Sequence, residues 1–401
     1  MNSAILNELA QEFGTPLYVY DADRITHQFE KLQSAFVSYP AKFFYACKAL
    51  SNVNVLKHMH KIGTNLDCVS IHEVNLGLLS GFQPEQILFT PNGVDFSEIK
   101  EAKELGVHIN IDSISMLEQF GAAFAGSYPV CIRLNPHIMA GGNTKISTGH
   151  IDSKFGISIH QIRHIERIVK TTGLLVEGLH MHTGSEIKDI EVFLMGLDVM
   201  LDAAIRFPSV KYVDMGSGFK VAYKPGEAET DINLLGDRVA KRMQAFETET
   251  GRALGLWFEP GKYLVSQCGY FLVKSNVIKQ TPATVFVGVN SGFNHLIRPM
   301  MYDAYHHIEN VSNPDGTTRI YTVVGNICET DTFAWDRTLA EVREGDILVM
   351  HNAGAYGFEM SSQFNARVRP AEVLVEQGIP RLIRKRETFE DLLKNQILDK
   401  H

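Results

Sequence analysis

Phe43-Phe44-Tyr45-Ala46-Cys47-Lys48-Ala49-Leu50-Ser51-Asn52 sets a lysine inside an apolar, aromatic run that reads as a buried strand. Burying an ammonium is costly, so the run predicts a lysine with a lowered pKa, able to act as a nucleophile and Schiff-base former. The other reading is a strand-end lysine whose head reaches water along its own stem. Outward from this stretch a rhythm begins, with short apolar runs alternating with amphipathic helical segments. The runs are Phe43–Lys48, Asn65–Ser70, Ile87–Thr90, His108–Asp112, Val130–Asn135, Leu174–His182, Lys211–Gly216 and Leu256–Gly261, eight in all. Between them, Asp95-Phe96-Ser97-Glu98 and Ser115-Met116-Leu117-Glu118 read as helix starts, and Gly106 as a stop.

Eight β units separated by helices predict a closed (β/α)8 TIM-type barrel, with an open doubly wound sheet as the alternative. The count and the lack of a strand followed by GxGxxG favour the barrel. So do the polar residues at the carboxyl ends of the runs: Lys48, Asp67, Arg133 with Asn135, His180 with His182, Asp214 and Glu259. Barrel enzymes build their sites at that end. After Gly261 the pattern changes to strands divided by Gly, Pro and Asn, at Tyr270–Ile278, Thr284–Val289, Arg319–Val324, Asp346–His351 and Ala371–Val375, with a helix at Glu387–Asn395. This half predicts a mostly antiparallel, sandwich- or barrel-like β-domain. The early strand Pro16–Tyr20 has no place in the barrel scheme and is assigned to that domain. The expected division is 25–262 for the barrel, and 1–24 with 263–401 for the β-domain. The long irregular stretch Asn135–Lys154 reads as a functional or mobile loop.

The chain has 401 residues and a net charge of −8, which argues against nucleic-acid and anionic-membrane partners. Cysteines at 47, 68, 131, 268 and 328 form no CxxC pair and read as reduced thiols of a cytoplasmic protein. No signal peptide or membrane-spanning run is expected.

Single motifs remain ambiguous. Gly216-Ser217-Gly218 after a strand suits a phosphate, or is a plain tight turn. His180 and His182 on one strand face can ligate a metal, stack on a flat cofactor or sit satisfied in a core. Ser185 can donate to a phosphate. Glu259 ends the last barrel run and needs a cationic or protonated partner, which a pyridinium nitrogen or a structural ion pair would supply. Cys328-Glu329 joins a thiol and a carboxylate, or is a small buried cysteine in a turn. Arg298 could clamp a carboxylate or lie on the surface. Tyr302 stands near it, and Tyr356 is presented by a small-residue loop. Together these are the parts of a pyridoxal phosphate site.

Tyr45-Ala46-Cys47-Lys48-Ala49, His180-Met181-His182-Thr183-Gly184-Ser185, Gly216-Ser217-Gly218, Glu259-Pro260-Gly261, Cys328-Glu329-Thr330 and Ala353-Gly354-Ala355-Tyr356-Gly357 occur in the order found in the diaminopimelate decarboxylase family. That family belongs to the alanine-racemase-like pyridoxal phosphate enzymes. Ile146-Ser147-Thr148-Gly149, Ser153-Lys154-Phe155-Gly156, Leu296-Ile297-Arg298-Pro299 and Arg369-Pro370-Ala371-Glu372-Val373 sharpen the resemblance, which spans roughly residues 10 to 395.

The resemblance implies decarboxylation of meso-2,6-diaminopimelate to L-lysine and carbon dioxide, the last step of lysine biosynthesis. By it, Lys48 holds pyridoxal 5'-phosphate covalently and His182 stacks on its ring. Ser185, Gly218 and Gly261 bind phosphate, and Glu259 meets the ring nitrogen. Lys262, Arg298, Tyr302, Glu329 and Tyr356 contact substrate or cofactor. Cys328 is the proton donor, and Cys328 and Glu329 are lent across a homodimer interface. No metal is implied. This chain departs from the family at Lys262, where an arginine is usual, at Ser217 in place of a glycine, at Leu50 in place of an asparagine, and at Ile71-His72 in place of two glycines. The rivals are a decarboxylase of ornithine, arginine or a carboxylated polyamine, a barrel metal hydrolase using His180 and His182, and a catalytically silent binding partner.

Overall fold

The computed structural model describes residues 1–138, 153–182 and 184–397. Most of the expected 135–154 loop, including Ile146–Gly149, and Thr183 therefore lie outside the described residues. The chain divides into two compact units, one of His27–Val221 with Ala228–Leu264, the other of Met1–Thr26, Ala222–Glu227 and Val265–His401.

After a first strand β1 (Leu17–Asp21), which belongs to the second unit, come β2 (Ala41–Ala46), β3 (Asn65–Cys68), β4 (Ile87–Phe89), β5 (His108–Ile111), β6 (Val130–Asn135), the two-residue β7 (Ile157–Ser158), β8 (Val176–His180), β9 (Tyr212–Asp214) and β10 (Gly255–Phe258). All pairings among β2–β10 are parallel. The order runs β5-β4-β3-β2-β10-β9-β8-β6, and β5 pairs with β6 to close the ring. The eight expected barrel strands are thus present, most of them ending earlier than the apolar runs do. The polar residues beyond the strand ends turn into the connecting loops. Asp95 caps the helix Phe96–Leu105 and Gly106 ends it in the left-handed conformation. The next helix, Ile114–Phe124, starts earlier than Ser115, because Ser113 accepts from the Met116 amide.

The barrel interior is filled by Phe44, Leu88, Cys131, Tyr212 and Trp257. The Tyr212 and Trp257 rings stack at 3.5 Å between centroids, and Trp257 also meets Phe44 at 4.6 Å. Burying a large apolar side chain in this way contributes roughly 2–3 kcal/mol. Gly178 lies opposite Tyr212 in the β8–β9 register, and a Cβ there would stand 2.2 Å from the Tyr212 ring. The ring is backed by Trp257 and has no room to retreat. Gly178→Ala should therefore lower unfolding stability by about 2–3 kcal/mol. Denaturant unfolding checks this, and an unchanged midpoint would show that the ring can move.

In the second unit, β1 pairs antiparallel with β11 (Gly269–Gln280) and parallel with β17 (Ala371–Glu376). The sheet is completed by β12 (Val285–Val289), β13 (Ile308–Asn310), β14 (Thr318–Val324), β15 (Thr332–Ala340), β16 (Ile347–Met350) and β18 (Ile379–Arg384). Strands β13, β15 and β18 are absent from the sequence reading, as is the helix Ser3–Phe13. That helix buries Leu6, Leu9 and Ala10 against Leu17, Val19, Leu272 and Val349. The buried Glu372 accepts from Tyr20 Oη at 2.8 Å and pairs with Arg384, so its charge is satisfied on both oxygens.

Candidate active site

Barrel register sets the first layer of the site. Arg133 on β6 is the partner of His180 on β8, and His180 is the partner of Asp214 on β9. All three are buried. Glu259 follows β10 directly and is buried too, with Oε2 at 3.1 Å from His180 Nε2 and Oε1 accepting from Thr90 Oγ1 at 3.4 Å. Asn110 donates to Thr90 Oγ1 at 3.0 Å, extending the chain to β5. Asp67 in β3 is the register partner of Ala46 and is also buried. Donor atoms of His180, Asp214 and Glu259 lie within 4.8 Å of one another. His182 is not part of that group, so the rival metal-hydrolase reading finds no cluster of three ligands containing both histidines among the described residues.

Lys48 departs from the buried-strand expectation. Strand β2 stops at Ala46, and Lys48 is the exposed middle residue of a 3-10 turn, Cys47–Ala49. The strand ends there because Leu50 N donates to Cys47 O at 3.1 Å, closing the turn. Tyr45 Oη donates to Leu50 O at 2.9 Å, and Ala46 N donates to Pro260 O at 3.3 Å. A Cβ on Gly261 would come within 3.1 Å of Ala46 Cβ and 3.2 Å of Ala49 Cβ, so the β10 turn lies directly against this one. The lysine is exposed, and the turn that carries it is pinned by these bonds.

The layer is rich in carboxyls. Burial pushes Asp67 up to about 7, the Glu259 charge adds to this, and Lys48 opposes it. Asp214 is held well above the carboxylate range by burial and by Glu259. Burial raises Glu259 as well, with Lys48 and Arg133 acting against it. His180 is driven well below the histidine range by burial, then by Arg133 and Lys48, so the ring is neutral. His182 keeps some exposed surface, yet desolvation first and then Lys48, Arg133 and His180 lower it too. Arg133 is itself stacked on Phe155 at 4.8 Å, which gives the Ser153–Gly156 motif a structural task.

Asp67 gives a signed pH effect. Its folded pKa, about 7, exceeds its ordinary value of 3.8, so the folded chain holds a proton that the unfolded chain has lost. This group's contribution to stability is greatest below 3.8 and is lost as pH rises toward about 7. In cofactor-free protein, Asp67→Asn should therefore gain stability relative to the parent between about pH 5 and about pH 8. Urea unfolding at both values tests it. A constant difference would place the proton elsewhere.

The Gly216-Ser217-Gly218 turn has φ of 60° at Gly216 and 104° at Gly218, conformations that glycine takes freely. A Cβ on Gly216 would lie 2.6 Å from His182 Nδ1, and Ser217 N donates to that nitrogen at 3.4 Å. The turn therefore packs on the imidazole. Lys262, after β10, pairs with Glu186 at 2.8 Å.

In the second unit, Arg298 is buried, not on the surface. It donates to Ala355 O at 3.4 Å, beside Tyr356, and lies over Tyr223 at 5.0 Å. Tyr302 ends the same short helix, Arg298–Tyr302. Cys328 is the one exposed cysteine of the five, 3.3 Å from Glu329 Oε2 and 3.4 Å from Asn365 Nδ2. Its loop is held by Asp331, which accepts from Phe293 N at 2.7 Å and Ile327 N at 3.0 Å. In the sequence Asp67, Arg133 and Asp214 stand out only as strand ends, and Thr90, Asn110, Glu186, Asp331 and Asn365 belong to none of the motifs. Strand-end position was the available signal for Thr90, and Glu186 follows Ser185 directly.

The barrel residues fit pyridoxal phosphate. An amine, a buried carboxylate, an imidazole face and a glycine turn lie at neighbouring strand ends. Buried Asp67 Oδ1, Asp214 Oδ2 and His180 Nδ1 have no hydrogen-bond partner among the described residues, leaving polar capacity in the same layer. The model of the pyridoxal-dependent decarboxylase family, pyridoxal binding domain, matches residues 22–266. Diaminopimelate decarboxylase of Methanothermobacter thermautotrophicus is 39% identical over 97% of this chain and 93% of that one. The enzyme of Campylobacter jejuni is 35% identical over 96% of each. The structure of diaminopimelate decarboxylase from Helicobacter pylori complexed with L-lysine superposes with a TM-score of 0.90 at 30% identity, covering 97% of this chain and 98% of that one. With that barrel, those strand-end groups and that likeness over nearly its whole length, the chain belongs to the diaminopimelate decarboxylase family of pyridoxal-dependent decarboxylases.

Proposed function

We propose that this protein decarboxylates meso-2,6-diaminopimelate to L-lysine and carbon dioxide with pyridoxal 5'-phosphate. The observation that carries the reading is the placement of Lys48 and Glu259 on turns packed against each other after adjacent strands β2 and β10. When bound, the cofactor supplies an electron sink for the bond to the departing carboxylate.

The chain's own residues do the rest. Lys48 presents its amine from a pinned turn. Glu259 offers a carboxylate, oriented by His180, for the ring nitrogen. With His180 neutral, its Nε2–H donates to Glu259 Oε2, a tautomer assigned from that contact. His182 offers a flat face beside the Gly216–Gly218 turn, where Ser185, Gly218 and Gly261 receive phosphate. Lys262, Arg298, Tyr302, Glu329 and Tyr356 receive the polar ends of substrate or cofactor, and Cys328 Sγ delivers the proton to Cα.

We read the protein as a cytoplasmic homodimer with shared sites. Support comes from the exposed Cys328-Glu329 pair and from Trp335, 60% exposed on β15 of the same unit. Among the described residues no helix is long and apolar enough to cross a membrane.

The test is a visible spectrum of purified protein with pyridoxal phosphate, read before and after adding meso-diaminopimelate, with lysine and carbon dioxide assayed. A parallel panel of ornithine, arginine and a carboxylated polyamine separates the sister activities. Faster turnover of any of these would reassign the substrate, and no visible band would remove the cofactor.

A further inference from the structure

Glu186 stands between two lysines. Its Oε1 lies 2.8 Å from Lys262 Nζ and its Oε2 lies 4.0 Å from Lys220 Nζ. The two lysine side chains are only 14% and 11% exposed, so these are not loose surface charges. Glu186 has φ of 64°, the left-handed region that a residue with a Cβ rarely enters. The backbone around it is tied down. Ile187 N donates to Gly218 O at 2.8 Å, Thr230 Oγ1 donates to Ile187 O at 2.6 Å, and Lys220 N donates to Thr230 Oγ1 at 2.7 Å. A Cβ on Gly218 would stand 2.4 Å from Gly184 O, so the two turns press together. Segments following β8, β9 and β10 thus bring three charged heads to one place, next to Ser185, Gly218 and Gly261.

Two ammonium groups converging on one carboxylate, one on each oxygen, is an arrangement that also suits an oxyanion ligand. We propose that Lys220 and Lys262 form an oxyanion subsite. Glu186 is its internal placeholder, displaced when the phosphate or carboxylate of a bound small molecule arrives. The inference rests on the pyridoxal phosphate reading of the site and adds Lys220 and Glu186 to it. It also gives the family's arginine position a substitute, two point charges in place of one planar fork.

The test uses full-length protein freed of cofactor, as the parent, Glu186→Gln, Lys220→Met and Lys220→Arg. Each is titrated with pyridoxal phosphate and with pyridoxal, which lacks the phosphate, and KM for meso-diaminopimelate is measured on the loaded proteins. Removing the placeholder should tighten one ligand by about threefold to tenfold. Lys220→Met should weaken the same ligand roughly tenfold, and Lys220→Arg should recover most of that loss.

A shift in pyridoxal phosphate affinity without one for pyridoxal identifies the phosphate as the oxyanion. A shift in KM alone identifies a substrate carboxylate. If neither quantity moves, or if Glu186→Gln weakens binding as Lys220→Met does, Glu186 is merely a structural ion pair and the subsite is refuted. Calorimetric titration of the same proteins with inorganic phosphate judges the subsite even if the parent develops no visible band, a result that would refute only the cofactor reading.

Discussion

Lys48→Ala should leave a folded protein that develops no visible absorption band with pyridoxal phosphate. Its turnover of meso-diaminopimelate should fall by at least about a thousandfold. The expectation separates chemistry from stability because of where Lys48 sits. Its side chain is exposed, and the turn beneath it is held by Tyr45, Leu50 and Pro260 through bonds that do not involve the lysine head. Removing the amine therefore takes away a nucleophile and one positive charge, and leaves the barrel packing alone. The charge has its own readout. Lys48 lowers the Asp67 and Glu259 carboxyls and also lowers the His180 and His182 rings. In the variant the acids should hold their protons to higher pH and the imidazoles should become more basic. Absorbance titration with cofactor and a steady-state assay suffice for the main effect. Normal turnover would end the assignment of Lys48.

Glu259→Gln should lower kcat by about a hundredfold to a thousandfold with the fold and the visible band retained. The amide keeps the shape and can still meet His180 and Thr90, but it cannot offer a negative charge to a ring nitrogen. A structural role alone would show as lost stability with kcat intact. The substitution carries a second signature. Glu259's charge is one of the causes that raise Asp67 and Asp214, so both should move back toward the ordinary carboxylate range. The stability slope of Asp67 between about pH 5 and about pH 8 should flatten accordingly. Seeing the kinetic loss without the flattened slope would mean that the buried carboxyls do not sense one another.

The barrel was legible because its strands are buried on both faces and read as continuous apolar runs, and because Lys48, Asp67, Arg133, His180, Asp214 and Glu259 punctuate their ends. What pattern could not give was the register. That Arg133, His180 and Asp214 are neighbours in one layer follows from how β6, β8 and β9 pair, and the neutral His180 and the raised acids follow from that layer. Lys48 reads as buried in the sequence because Phe43–Ala46 looks continuous with Cys47, whereas the structure exposes it. The closing Leu50–Cys47 bond, which ends the strand, has no marker in composition. The β-domain was harder still. Ile379–Arg384 is mostly exposed and carries two arginines, and Thr332–Ala340 mixes buried and exposed positions without strict alternation. The Lys262–Glu186 pair joins loops after different strands and is invisible until the ring closes.

Closure of that ring has a consequence for the order of events during synthesis. Strand β2 is the first barrel strand made and β10 the last, and they meet as neighbours at the seam, Phe258 beside Phe43. Lys48 leaves one side of the seam and Glu259 the other, with Gly261 wedged against Ala46 and Ala49. A growing chain therefore holds its amine ready long before it has the carboxylate that faces it. A site that needs both groups is complete only once the first and last staves of the barrel have met.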